Sequence, residues 1–246
     1  MARLTDWQQQ ILGAKRVDLT HEVHPDIPRF AAFEPMQERD VRTIEKDRFW
    51  AKEYTFATPY GTHVDAPGHF AAGKRLVSGI GVDELILPLN VLHLEDKVEA
   101  DPDYAVTADD IVAFEAEHGT IEPGSFVAFS SGWSTRWEDP DAFVNLDEDG
   151  VQHTPGWSLE ALHVLIDDRR VAAIGHETLD TDPGVAVAES GFLYGELYVL
   201  EQDIYQIEVL DNLAQVPATG AVIVVGPANI KGAPSITSRV YALFQE

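Results

Sequence analysis

Short apolar or alternating segments recur along the chain, and turn-forming residues such as glycine and proline separate them. Runs of roughly four to eight such residues between turn signals are typical of β-strands. This pattern predicts strands over residues 16–20, 54–57, 85–94, 125–129, 171–175, 205–210, 221–225 and 236–244. Segments of helical character lie between several of them, so the pattern indicates an α/β fold with a mixed sheet.

Helix-start signals precede the segments of helical character. Thr107 and Asp110 form a capping-box pattern, in which each side chain can bond to the backbone N–H of the other residue. We predict helices over residues 5–14, 107–118, 154–169 and 196–206. The first of them, within residues 1–15, is predicted to be an interface or lid helix because three apolar residues share one side. These residues are Trp7, Ile11 and Leu12.

Length and composition are those of an ordinary globular protein. The chain has 246 residues, of which 45% are hydrophobic and 24% are charged. Barrels of this length are commonly single domains with one large core. No internal repeat and no linker-like composition interrupts the sequence, so we predict one domain over residues 1–246.

The charge balance is strongly acidic, with 17 Lys+Arg against 42 Asp+Glu and a formal net charge of −25. Such a charge repels phosphate backbones and anionic lipids, so we expect neither a nucleic acid nor a membrane as partner. The chain contains no cysteine, which excludes disulfides, thiolate nucleophiles and cysteine-bound zinc. No segment approaches the roughly 20 apolar residues of a membrane span, and we expect a cytoplasmic protein.

The segment 58–70 contains two imidazoles and a carboxylate within a turn rich in glycine and proline. His63 and Asp65 are two positions apart, so they point to the same side of an extended chain. Imidazole nitrogen and carboxylate oxygen are the usual ligands of zinc and manganese. The segment therefore predicts a metal site, with His69 just outside the ligand shell as an acid/base. A solvated loop without chemistry is the alternative.

These residues resemble the signature of the Putative cyclase family, which includes bacterial kynurenine formamidases and isatin hydrolases and reads H-x-G-T-H-x-D-x-P-x-H. The matching residues are Gly61, Thr62, His63, Asp65, Pro67 and His69, whereas Pro59 stands at the position of the first metal-binding histidine. The resemblance extends from Val17 to Phe244. It implies an α/β fold with a mixed, partly barrel-like β-sheet and flanking helices, of the swivelling β/β/α type.

A later segment resembles the second metal segment of the same family, H…E-x-L-x-N-L. Glu208 matches its glutamate, and Glu196 stands where the family spacing places a histidine. The resemblance thus implies a divalent ion held by His63, Asp65, Glu196 and Glu208, with His69 as the catalytic proton shuttle. We expect manganese or zinc, with magnesium possible, and the oxygen-rich ligand set favours manganese or magnesium.

The resemblance implies a metal-dependent hydrolase that opens the C–N amide bond of a small-molecule substrate. An arylformamide such as N-formylkynurenine and a small cyclic amide are the candidate substrates. Three alternatives stay open at this point: cyclisation or dehydration of a polyketide-like or lactone substrate, catalysis by a Glu196–Glu208 acid–base pair without an ion, and a non-catalytic binding protein with a degenerate metal site. We also expect a homo-oligomer, a dimer or a tetramer.

Four further residues are candidates for substrate binding. Phe30 and Phe33 lie in a predicted loop that could form one wall of an apolar pocket, and Trp50, just before the metal-site segment, could close over the substrate. His176 ends a predicted strand and could join the site together with Glu177. For each of them a packing or structural hydrogen-bonding role is the alternative.

Overall fold

The computed structural model describes residues 4–245, and its strands form one large sheet and two small ones. The strands are β1 (Lys15–Asp18), β2 (Gln37–Arg42), β3 (Ala51–Thr55), β4 (His63–Asp65), β5 (Ile86–His93), β6 (Ala105–Val106), β7 (Phe126–Ser130), β8 (Gly156–Trp157), β9 (Ala173–His176), β10 (Tyr205–Glu208), β11 (Ala221–Pro227) and β12 (Ser235–Phe244). The α-helices are α1 (Asp6–Gly13), α2 (Ile44–Asp47), α3 (Glu95–Ala100), α4 (Ala108–His118), α5 (Pro140–Val144), α6 (Leu159–His163), α7 (Gly184–Ser190) and α8 (Tyr194–Glu201).

The large sheet contains eight strands in the order β1-β12-β11-β5-β7-β9-β10-β4. The long strand β12 pairs with β1 near its C-terminal end and with β4 near its N-terminal end. This second pairing closes seven strands into a barrel, from β12 through β11, β5, β7, β9 and β10 to β4. The predicted mixed, partly barrel-like sheet with flanking helices is confirmed, and the barrel is fully closed.

Strands β5, β7, β9 and β10 are parallel to one another, and helices lie in each connection between them. Parallel strands need such crossovers, which cover the sheet and leave the strands buried on both faces. Every residue of β7, β9 and β10 is accordingly buried. Along β7, Phe126 and Ala128 belong to one hydrophobic cluster, whereas Val127 and Phe129 belong to the other, which includes residues of α4 and α6.

Most predicted helices are present, with shifted ends. Capping boxes are present at Thr5 of α1 and at Thr107 of α4, and the sequence pattern predicts the one at Thr107. The helix predicted over 154–169 begins later, after the capping residue Ser158, and continues as a π-helical turn. The helix predicted over 196–206 is wrong in its second half. There α8 ends at Glu201, Asp203 adopts a positive φ of 65°, and the chain enters β10.

Residues 37–55 form a β-hairpin that is separate from the barrel, and we call this segment the hairpin arm. Strands β2 and β3 pair only with each other among the strands of residues 4–245, and α2 lies between them. The strand predicted over 54–57 is the end of β3, so it does not run directly into the metal-site segment as a barrel strand. Every residue of β2 is exposed to solvent.

The N-terminal helix α1 lies on the surface, and none of its residues is buried. Trp7 and Leu12 are 68% and 60% exposed, so the apolar side of this helix has no partner in the described part of the chain. Its role at an interface or as a lid stays a prediction. The first three residues of the segment 1–15, and Glu246 at the end of the predicted domain 1–246, lie outside the described residues. Between residues 4 and 245, no helix is both long enough and apolar enough to cross a membrane.

Candidate metal centre and adjoining cavity

The sheet brings the early metal-site segment and the late acidic segment together. β4 pairs antiparallel with β10, in a register that places His63 opposite Glu208 and Asp65 opposite Gln206. Side chains two residues apart share one face of a strand, and opposite residues on paired strands lie next to each other. Four polar side chains from distant parts of the sequence therefore converge on one face. All four are buried.

His63 is held in a defined orientation at the centre of this group. Its Nδ1 lies 2.7 Å from the carbonyl oxygen of Gly61, and this bond requires the proton on Nδ1. In the neutral ring the unprotonated nitrogen is then Nε2, which faces Asp65 Oδ2 at 3.4 Å and Glu208 Oε2 at 3.3 Å. Gly61 adopts a φ of +63°, and a Cβ at this position would lie 2.9 Å from Val23, so the turn depends on glycine.

His69 and Glu196 complete the cluster from the adjacent elements. His69 ends the 3₁₀ turn Pro67–His69, against which α8 packs, and its Nε2 lies 3.8 Å from Asp65 Oδ1. Glu196 projects from the first turn of α8. Asp65, His69 and Glu196 offer ligand atoms within 4.8 Å of one another, and so do His63, Asp65 and Glu208. The structure thus brings together all four predicted metal ligands and the predicted proton shuttle.

The cluster concentrates negative charge in a buried place. Burial, followed by the charges of Glu208 and Asp65, raises the pKa of Glu196 well above its ordinary value. Burial, followed by the charges of Glu208, Asp182 and Asp65, raises the pKa of Asp180 to about 7. For His63, burial opposes the charged form, but Asp65 and Glu208 outweigh it and raise the pKa. Burial is the main cause of the shifts of Glu196 and Asp180, and neighbouring carboxylates contribute to all three shifts.

The donor set fits a divalent cation. Among residues 4–245, His63 Nε2 and Asp65 Oδ1 are buried atoms without a hydrogen-bond partner. Buried polar atoms are normally satisfied, so such orphans call for a ligand. One imidazole nitrogen and three carboxylates are a set that divalent manganese, zinc or magnesium accepts. Pro59 lines the same cavity but offers no ligand atom there.

Gln206 and Asp182 are site residues that the sequence reasoning did not identify. Gln206 Nε2 donates to Glu208 Oε1 at 2.9 Å and to Asp65 Oδ2 at 3.4 Å, and its Oε1 accepts from Thr181 at 2.8 Å. It thereby orients two predicted ligands. The period of two along the predicted strand 205–210 places Gln206 on the same face as Glu208, and this signal could have revealed it. Asp182 accepts the backbone N–H groups of Gly195 and Glu196 and so fixes the start of α8.

The two neighbours His176 and Glu177 face different surroundings. His176 is fully buried and its Nε2 lies 3.5 Å from Glu208 Oε1, but it does not line the cavity. The prediction that His176 binds substrate is corrected, because its side chain is buried against the predicted ligand Glu208 and is separated from the cavity. Glu177 accepts hydrogen bonds from Ser131 and Ser134 and anchors the 3₁₀ turn Trp133–Arg136.

A cavity of about 370 Å³ opens onto the cluster. Its floor is polar, and its walls are mainly aromatic and aliphatic, as is usual for small-molecule sites. The polar floor contains His63, His69, Asp180, Glu196 and Glu208, and the walls contain Phe30, Phe33, Phe70, Leu146, Leu179 and Leu193. Phe30 and Phe33 pack edge to face, with ring centroids 5.2 Å apart. The structure therefore places both phenylalanines where the sequence predicts a pocket wall.

Trp50 is not at this cavity, and its prediction is corrected. The residue lies on the hairpin arm, is 61% exposed, and donates from its indole nitrogen to Asp40. It is absent from the residues that line the cavity. The hairpin turns the chain outward before it returns to the metal-site segment, so closeness in sequence did not mean closeness in space.

The closed barrel with an acidic cluster at a cavity is an enzyme-like arrangement, and comparison with known proteins identifies the family to which the chain belongs. A family model described as Putative cyclase matches residues 17–183, so the chain belongs to this family, as the sequence motifs predict. An isatin hydrolase from Roseibium aggregatum is 34% identical over 187 residues, which cover 74% of this chain and 70% of that protein.

Solved structures agree with this assignment. Isatin hydrolase A from Ralstonia solanacearum superposes with a TM-score of 0.90 at 30% identity, and the match covers 100% of this chain and 99% of that chain. An isatin hydrolase bound to the product analogue thioisatinate gives a TM-score of 0.89 at 28% identity, with 98% and 96% covered. Together with the His/Asp/Glu cluster, these findings support a metal-dependent hydrolase of the cyclase family.

Proposed function

We propose that this protein hydrolyses the amide C–N bond of a small aromatic cyclic amide of the isatin type, with the help of a divalent ion. The observation that carries the proposal is the clustering of His63, Asp65, Glu196 and Glu208, three of which line an aromatic-walled cavity, with Asp65 buried beneath them. The similarity to isatin hydrolases supports the same class of substrate. A volume of about 370 Å³ suits a bicyclic aromatic ring.

The residues that would hold the ion are His63 through Nε2 and the carboxylates of Asp65, Glu196 and Glu208. A divalent ion in such a site polarises a carbonyl and lowers the pKa of water from 15.7 to about 7. Three carboxylates to one imidazole favour manganese over zinc. Gln206 keeps two of the carboxylates aimed at a common point, because it donates to both.

His69 is the group best placed to move the proton that the leaving nitrogen needs. Hydrolysis adds one water across the C–N bond, so a carboxylate forms and the nitrogen leaves as an amine. His69 is partly exposed, lines the cavity, and lies close to Asp65 and Glu196. Proton transfer from a positioned histidine contributes about 10²- to 10⁴-fold to such reactions.

Purified protein tests the proposal directly. It is stripped with a chelator, reloaded with manganese, zinc or magnesium, and assayed with isatin, an arylformamide and an aromatic lactone. We expect ring opening of isatin with the gain of one water, seen by mass spectrometry, and loss of the activity after chelation. If the lactone instead lost a water or closed a further ring without gaining a water, the cyclase or dehydratase alternative would be favoured. Binding without turnover of any substrate would favour the non-catalytic one.

The His69→Gln variant separates catalysis from binding. We expect kcat to fall by about 10²-fold or more while the metal content and the affinity for a product analogue stay close to wild type. His163→Gln is the matched control, because His163 is an exposed histidine on α6, away from the cavity. An unchanged kcat in His69→Gln would remove this residue from the mechanism.

A further inference from the structure

Asp180 is a carboxylate in the cavity that the proposed chemistry does not yet use. It lies in the turn between β9 and α7 and lines the cavity together with His63, Glu196 and Glu208. Its backbone oxygen accepts from Thr178 Oγ1 at 2.9 Å, but its carboxylate accepts no hydrogen bond from any residue between 4 and 245. Asp180 is partly exposed and faces the cavity, so its unbonded carboxylate oxygens can accept a hydrogen bond from a ligand there.

The neighbours of Asp180 keep its side chain available to a ligand. Thr181 turns away and donates to Gln206, and Asp182 bonds to the start of α8. Thr178 bonds back to the turn itself. The charged groups that act on Asp180 are Glu208, Asp182 and Asp65, which repel it, and His63, which attracts it. None of them donates a hydrogen bond to its carboxylate.

The other polar residues of the cavity wall are already engaged. Arg29 is the only permanently charged cation among the described lining residues, and its guanidinium donates to the carbonyl oxygens of Phe33 and Ile27. Gln152 donates to Thr154. Asp180 is the one carboxylate among the described lining residues that is not a predicted metal ligand, and the apolar side chain of Leu179 precedes it in the chain and also lines the cavity.

The position of Asp180 matches one group of the proposed substrate. In a cyclic amide, the N–H is bonded directly to the carbonyl carbon that is attacked. Asp180 lines the same cavity as the predicted ligands His63, Glu196 and Glu208. A carbonyl held at the predicted ligands therefore places its adjacent N–H within the reach of this second carboxylate, while His69 serves the nitrogen as proton donor.

We propose that Asp180 is a specificity-determining residue that accepts the amide N–H of the substrate and selects substrates with an unsubstituted nitrogen. This inference rests on the proposed hydrolase function. A site built around a substrate N–H rejects the analogue that lacks it, because its own polar group is then left unpaired. The wild-type protein should therefore discriminate against N-alkylated cyclic amides.

The test compares isatin with N-methylisatin on manganese-loaded wild type, Asp180→Ala and Asp180→Asn. For wild type we expect kcat/KM for isatin to exceed that for N-methylisatin by about 10- to 100-fold. In Asp180→Ala the isatin value should fall by a similar factor while the N-methylisatin value holds, so the preference disappears. Asp180→Asn keeps an oxygen acceptor of the same shape, and its preference should be intermediate. Asp168→Ala, at an exposed acidic residue, is the control and should behave as wild type.

The outcomes separate this inference from the proposed function. No turnover of either substrate by any form of the protein would overturn the proposed function itself. Turnover with the same preference in Asp180→Ala as in wild type would overturn only the role of Asp180. Loss of bound manganese from both Asp180 variants, measured by elemental analysis, would assign Asp180 to the ligand shell and also overturn the inference.

Discussion

Individual carboxylates in the cluster carry the clearest physical signature of a metal site. Glu196 is buried beside Glu208 and Asp65, so its ionised form is strongly disfavoured unless a cation is present. Asp180 shows the same effect, with a pKa of about 7 in place of 3.8. Without a cation, the folded protein retains protons that the unfolded chain releases near pH 4 to 5.

This difference predicts how the metal-free protein responds to pH. Where the folded state binds more protons than the unfolded state, the free energy of unfolding falls as the pH rises. The raised pKa values of Glu196, Asp180 and His63 all act in this direction. His21, whose pKa burial lowers to about 4, acts in the opposite direction, but only below its usual value of 6.5. Between pH 6.5 and 8.5 we therefore expect the Tm of chelated protein to fall.

The Glu196→Gln variant isolates the contribution of one group. Glutamine cannot ionise, so the Tm of the chelated variant should depend less on pH over the same range than that of wild type. Manganese should raise the wild-type Tm more at pH 8.5 than at pH 6.5, because a cation favours the ionised carboxylates. Thermal melts at both pH values, with and without manganese, measure both effects. A wild-type Tm that rises with pH would contradict the electrostatic account.

The sequence predicted some site residues and missed others for identifiable reasons. His63, Asp65 and His69 lie in one short motif, so their chemistry was visible at once. Glu208 needed the family pattern, because only the pairing of β4 with β10 makes it a neighbour of His63. Asp180 remained hidden because an aspartate in a polar turn looks like a solvated residue until the cavity around it is known.

At the level of elements, the start of α8 is the feature that positions Glu196. Asp182 accepts the N–H of Gly195 at 2.7 Å and that of Glu196 at 3.0 Å, which satisfies backbone donors at the helix start. A carboxylate there also interacts favourably with the helix dipole. Asp182, which lies between β9 and α7, therefore fixes the position of the first turn of α8 and with it the predicted ligand Glu196.

The Asp182→Ala variant tests this coupling. Loss of two hydrogen bonds to a charged acceptor should destabilise the protein by about 2 to 4 kcal/mol, measured by urea unfolding. Because Glu196 loses its anchor, manganese affinity should fall as well, measured by calorimetry. Asp139→Ala is the control, since Asp139 accepts the backbone N–H of Ala142 at the start of α5 but lies outside the cluster. It should lose stability while keeping its manganese affinity.

β4, which closes the barrel, lies in the turn-rich metal-site segment and was not predicted as a strand. The other six barrel strands were predictable because burial on one or both faces leaves an apolar pattern. The hairpin arm was not, since β2 is exposed at every position and its charges show no such pattern. The end of α8 was also missed. The polar run of Glu201, Gln202 and Asp203 separates this helix from β10, but such a run also fits the exposed face of a longer helix. The left-handed conformation of Asp203 marks the break in the structure.

At the level of the whole molecule, the hairpin arm is the candidate contact surface of the predicted homo-oligomer. A two-stranded hairpin alone is at best marginally stable in water, and the arm makes no sheet with the barrel in the part of the chain that is described. It also exposes large apolar side chains, which mark an interaction surface when they cluster. These are Ile44 at 64%, Phe49 at 56%, Trp50 at 61% and Tyr54 at 52%.

Charge favours a second copy of this chain as the partner of the arm. The segment 37–55 contains five basic and five acidic residues, whereas the whole chain has a net charge of −25. A neutral arm with five cationic side chains can approach the acidic body of another copy, while two acidic bodies repel each other. We therefore predict that the arm of one protomer packs on its partner, and that the oligomer depends on its aromatic residues.

Sedimentation of wild type and of a double variant, Phe49→Ser with Trp50→Ser, tests this arrangement. We expect wild type to sediment as a dimer or tetramer and the double variant to sediment as a monomer at micromolar concentration, because the buried aromatic area is lost. Val112→Ser is the matched control, since Val112 is 57% exposed on α4, away from the arm, and its removal should leave the assembly intact.

Because the chain has no cysteine, Tyr54→Cys gives a single-site probe, and chemical cross-linking of that residue to a lysine should occur between protomers. A monomeric wild type, or a double variant that remains fully assembled, would show that the arm has another role.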